Sequence, residues 1–98
     1  MLFVIEAKDK PDGLEVRMAT RPAHLAYLKG LGDALVLAGP FQDEGGKPVG
    51  SLVIVNAGSQ TEAEAIAADD PYVGAGLFET SSVRPWVWAI NTPEGLLS

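Results

Sequence analysis

Gly50-Ser51-Leu52-Val53-Ile54-Val55-Asn56-Ala57 reads GSLVIVNA, with apolar side chains at four consecutive positions. Such a run, bounded by glycine on one side and Asn-Ala-Gly on the other, predicts a short β-strand. A strand covered on one face alternates apolar and polar residues, because successive side chains point to opposite sides. This one is apolar at both parities, and so are Leu2-Phe3-Val4-Ile5 and Leu35-Val36-Leu37. Three strands therefore ask for cover on both faces of one sheet.

Working outward from that strand, Ala34 to Gly39 forms a β-rich partner, and the polar, glycine-rich Pro40 to Val49 connects the two as a hairpin. Leu2 to Ala7 is an earlier strand, followed by turn residues from Lys8 to Gly13. Asp12 with Glu15 resembles a capping box, so a helix is expected to start near Gly13. Pro22 predicts a break, with a short helical turn to about Ala19 and a fresh start near Thr20. From there His24, Leu28 and Leu31 recur at helical spacing until Gly30 and Gly32. Thr61 with Glu64 predicts a second capped helix carrying Ala63, Ile66 and Ala67, ending before Pro71. Leu77 to Val83 predicts a fourth strand, extended toward Trp86-Val87-Trp88 after an interruption at Pro85.

The order βαββαβ predicts an α+β fold, a ferredoxin-like antiparallel sheet with both helices on one face. Two short helices shield only one side, and each large apolar side chain left wet forgoes roughly 1.5–3 kcal/mol. A homodimer through facing sheets is the expected remedy. The competing one is a fold-back of the tail from Trp86 to Leu97.

Size and charge narrow the function. The 98 residues, 47% apolar, suit one domain spanning 1–98. Thirteen acids against seven bases give a formal charge of −6, which repels phosphate backbones and anionic lipid, so neither nucleic acid nor a membrane is an expected partner. The run at residues 2–5 is too short for a signal sequence, and a cytoplasmic location is expected. The absence of cysteine excludes disulfides, thiol nucleophiles and Cys-type zinc sites. One histidine and scattered carboxylates match no metal-ligand spacing, and the GAG of residues 74–76 is too short for a phosphate loop, so no cofactor is expected.

His24, the sole histidine, is either a core residue bonded to a carbonyl or a proton carrier near neutral pH. Asp70 precedes Pro71 either as a turn former or as a carboxylate that orients His24. Arg21 is a candidate for holding a substrate carboxylate. Ser51 is either an ordinary strand-start serine or a ligand contact, and Phe41 and Tyr72 are either core residues or cleft walls.

Several of these stretches occur together in one known family. RPAHLAYL at Arg21 to Leu28 and DPYVGAGLF at Asp70 to Phe78 carry the likeness. MLFVIEAKDKPDGLEVRMAT before them, AGPF at 38–41, Gly50-Ser51 and VRPW at 83–86 follow the same order. In these stretches the chain resembles the YciI (YCII-related) family. The resemblance implies a dimeric α+β barrel and an active-site pair formed by His24 and Asp70. Most members have no assigned reaction, and one relative acts as a dehydrochlorinase on a chlorinated hydroxyhydroquinone. The expected function is therefore general acid–base chemistry on a small cyclic or aromatic molecule, as a cofactor-independent lyase or isomerase. The alternative is a non-catalytic dimeric module binding a metabolite or protein; a weaker option is oxygen-dependent oxidation of an aromatic substrate.

Overall fold

The structure is a computed structural model and describes residues 1–95. Strands β1 (Leu2–Asp9), β2 (Leu35–Gln42), β3 (Pro48–Asn56) and β4 (Phe78–Trp86) form one antiparallel sheet in the order β2-β3-β1-β4. Helices α1 (Leu14–Gly30) and α2 (Gln60–Ala68) pack on one face of it, and a short helix α3 (Pro71–Gly74) sits between α2 and β4. This is the expected βαββαβ arrangement with two added helical turns, α3 and a 3-10 turn at Gly32–Ala34 that leads into β2.

Register explains the double apolar character of the strands. Phe3 pairs with Val55 and Ile5 with Val53, and these four side chains meet Leu28, Leu31, Ala63 and Ile66 from the two helices. Val4 pairs with Ile54 and Glu6 with Leu52, one residue out of phase, and these belong to the helix-free face. Leu37, Phe41 and Trp86 leave large apolar surface exposed there. Among the described residues of the C-terminal tail, Val87 and Ile90 stay largely exposed and Trp88 is half-buried. Leu96 and Leu97 lie outside the described residues.

Five local expectations are corrected. Helix α1 runs unbroken through Pro22. Proline removes only the hydrogen bond its own N–H would make, and tertiary contacts on both sides of it hold the helix. The start of α1 has no side-chain cap: Asp12 takes φ 61° and Gly13 is the N-cap. A β-carbon at Gly13 would come within 2.9 Å of the Leu77 side chain and 3.0 Å of Lys10 O, so no capping side chain fits.

Helix α2 is capped two residues earlier than expected, by Ser59, whose Oγ accepts from Glu62 N at 3.1 Å while Glu62 Oε2 accepts from Gly58 N at 2.8 Å. The hairpin is also tighter than expected. β2 reaches Gln42 and β3 starts at Pro48, because Asp43 Oδ1 accepts from Gly45 N and Lys47 N and closes the turn. Finally, β4 continues through Pro85, which lies opposite Phe3 on an edge strand where a missing donor costs no ladder bond.

Candidate active site

Helix α1 places Arg17, Arg21, His24, Leu28 and Leu31 at spacings of four, three, four and three, which is one stripe of the helix. Leu28 and Leu31 join the core. The first three stand over the end of the sheet and line a cavity of about 220 Å³. Its apolar walls are Met18, Leu25 and Leu28 on the helix side and Pro40, Pro48 and Val53 on the sheet side. Ser51 and Tyr72 complete the lining.

Two acid–base pairs stand at this cavity. His24 Nδ1 lies 2.9 Å from Asp70 Oδ1, and both side chains are only 8% exposed. The position of Asp70 is over-determined. It is the N-cap of α3 with Pro71 at the first helical position, and the same Oδ1 accepts from Tyr72 N at 2.9 Å. The Asp-Asp-Pro stretch is thus the exit of one helix, through Asp69, and the entry of the next. A carboxylate accepts hydrogen bonds, so Nδ1 carries the hydrogen, and in the neutral imidazole Nε2 keeps its lone pair.

The second pair was not singled out in the sequence. Arg17 Nε donates to Asp9 Oδ2 at 2.7 Å, and Nη2 donates to Asp9 Oδ1 at 2.9 Å and to Ser51 Oγ at 2.8 Å. Burial works against the guanidinium charge, but the hydrogen bonds and charge of Asp9 outweigh it and raise the Arg17 pKa. Nε–H and both Nη2 hydrogens are committed, so any further donation by Arg17 comes from its Nη1 group. Arg17 and Asp9 were legible in one respect: Arg17 lies two helical turns before His24 on the same face.

Tyr72 joins the two pairs. Its ring stacks on His24 with centroids 4.1 Å apart and planes 22° apart, and the Arg17 guanidinium carbon lies 4.5 Å from its centroid. Burial pushes the Tyr72 hydroxyl pKa up while Arg17 pulls it down, with a net rise that keeps it a neutral donor. Tyr27 donates to Ile66 O behind the histidine, and burial, reinforced by Asp70 and Asp69, pushes its pKa well up.

Of the other sequence candidates, Arg21 and Ser51 line the cavity, and Arg21 is exposed at its wall. Phe41 does not. It follows Pro40 on β2, and alternation along the strand sends it to the helix-free face, where it lines a separate depression with Glu6, Lys8 and Val49. That corrects its assignment as a wall of this cleft.

Residues 1–87 match the YCII-related domain. The chain belongs to that family. It is 47% identical to Protein YciI of Escherichia coli, over 88% of this chain and 96% of that one. An uncharacterized protein of Haemophilus influenzae is 40% identical, again over 88% of this chain and 96% of that one. Among solved structures, this YCII-related chain is similar to the 5-chloro-2-hydroxyhydroquinone dehydrochlorinase of Burkholderia phenoliruptrix AC1100, determined in complex with 2,5-dihydroxybenzoquinone. The TM-score is 0.81 and the identity 36%, over 89% of this chain and 94% of that one.

Proposed function

We propose that the protein is an enzyme that moves a proton on a small cyclic or aromatic molecule, as a lyase or isomerase acting through its own side chains. One observation carries this reading: the 2.9 Å contact between His24 Nδ1 and Asp70 Oδ1 in a histidine that lines a cavity. Asp70 fixes the tautomer and ring orientation, and Nε2 takes the proton. The electron pair of the broken bond moves into the ring system. The Nη1 hydrogens of Arg17 and the hydroxyl of Ser51 meet the oxygen on which negative charge grows. In an elimination the leaving group departs with its bonding pair as an anion; in an isomerisation the imidazolium returns its proton at another atom. Arg21 and Tyr72 contact polar groups of the substrate.

The dehydrochlorinase at 36% identity makes 5-chloro-2-hydroxyhydroquinone the first compound to test. Chloride release and product mass are the readouts. His24→Ala and Asp70→Asn should each lower turnover by about 10²–10⁴-fold while the circular dichroism of the fold is unchanged. Turnover that survives both substitutions refutes the assignment. Saturable binding of ring compounds with no conversion of any would instead mark a metabolite-binding module.

The same reading includes a homodimer through the helix-free sheet face, on which Leu37, Phe41 and Trp86 are exposed. Sedimentation should give twice the monomer mass. Leu37→Glu should shift it to the monomer, and a wild-type monomer at high concentration would oppose the pairing.

A further inference from the structure

The cavity has an uneven hydrogen-bonding inventory. Five lining side chains carry nitrogen or oxygen: Arg17, Arg21, His24, Ser51 and Tyr72. Arg17, Arg21, Ser51 and Tyr72 all present donors, and no carboxylate or amide side chain lines the space. The two nearby acids are engaged from behind, Asp9 on Arg17 and Asp70 on His24. The chain has seven lysines and arginines in a molecule of charge −6. Among the described residues four of them, Lys10, Arg21, Lys29 and Lys47, make no ion pair, and of these only Arg21 stands at the cavity. An acidic protein thus holds a donor-lined recess with a guanidinium that makes no ion pair at its wall.

Size adds a second limit. A buried apolar cavity of about 150 Å³ accepts benzene. The 220 Å³ here, walled by Met18, Leu25 and Leu28 and open at its mouth, takes one ring with a small substituent or two.

We propose that this cavity selects a single-ring organic anion, rich in acceptor oxygens, and that Arg21 is the residue that reads its charge. This rests on the function proposed above only for which edge of the ring meets His24; the selection itself is a matter of binding. A ring carboxylate or ionised ring hydroxyl pairs with Arg21 at the mouth, a bidentate match for a carboxylate. A second oxygen meets the Arg17 Nη1 hydrogens deeper in the cavity, and the ring lies against the leucines. A cationic ring would leave Arg21 opposed by like charge and every donor without an acceptor.

Benzoate, benzamide and benzylamine are matched in ring and size and differ in charge. Calorimetry, with the resonances of the sole histidine followed by NMR, places each probe at this cavity. Benzoate should bind about tenfold tighter than benzamide, and benzylamine should not bind measurably. Arg21→Gln should remove most of the advantage of benzoate and leave benzamide unchanged, and Arg21→Lys should restore part of it. Added salt should weaken benzoate in the wild type only. Benzamide binding as well as benzoate, a preference that survives Arg21→Gln, or no perturbation of His24 by benzoate at millimolar concentration would each overturn the proposal. Selective benzoate binding in a protein that converts no substrate would sink the catalytic reading and leave this one standing.

Discussion

Removing the carboxylate of Asp9 is the sharpest test of how the site is held. Both members of the Asp9–Arg17 pair are almost fully out of water, at 5% and 4% exposure, and the fork of two hydrogen bonds is short. Asp9→Ala leaves the guanidinium buried with Ser51 as its remaining partner. Breaking one side of a buried pair costs about 3–5 kcal/mol. A domain of this size has roughly 5–15 kcal/mol in total, so about a fifth or more of the stability is at stake. At about 4–8 °C per kcal/mol, a loss of 3 kcal/mol lowers Tm by about 12–24 °C. Urea unfolding followed by far-UV circular dichroism measures it, with the slope checked for constancy. The double substitution Asp9→Leu with Arg17→Met removes both charges and should recover most of the loss, a coupling of at least about 2 kcal/mol. A cost below about 1 kcal/mol for Asp9→Ala, or additive single effects, would show that water reaches the guanidinium and that the pair is not desolvated as described.

The buried tyrosines set the alkaline limit of the fold. Tyr27 has its pKa raised above the ordinary 10.0, by burial first and then by Asp70 and Asp69, and Tyr72 moves the same way. The folded state then keeps protons that the unfolded state has released. Stability from this source is complete below pH 10 and falls as pH rises beyond it. Tyr27→Phe should flatten that fall in pH-dependent urea midpoints, at the cost of its bond to Ile66 O; an unchanged alkaline slope would count against the assignment.

Much of the fold was legible because strand patterning is a direct record of burial. The both-parity runs at residues 2–5, 35–37 and 52–55 located three strands, and their parity foretold two differently covered faces. Helix boundaries were less legible because several signals compete locally. Pro22 reads as a break in isolation, yet the helix through it carries Arg17 on one side and His24 on the other, each tied to a buried carboxylate. Thr61 and Ser59 both begin plausible capping boxes, and only the chain path out of β3 selects Ser59. At the candidate site, His24 and Asp70 were singled out by residue type and by resemblance. Asp9 was read as turn chemistry because Lys8, Lys10, Pro11 and Asp12 surround it; its partner lies across a loop, and nothing in the local sequence encodes that pairing. Phe41 was misplaced because the strand extends three residues past Gly39, where the connection was expected to begin, and so carries it over to the other face.

Helix α1 is fastened to the rest of the chain at two points, near its first turn by the carboxylate ending β1 and midway by the one that opens α3. Those anchors come from regions that adjoin the helix in sequence on one side and lie 46 positions away on the other. If the helix swings off the sheet, guanidinium, imidazole and both counter-carboxylates part company in the same event. No half-assembled state retains a working remnant, so loss of the apparatus and loss of tertiary order should coincide in a single cooperative transition.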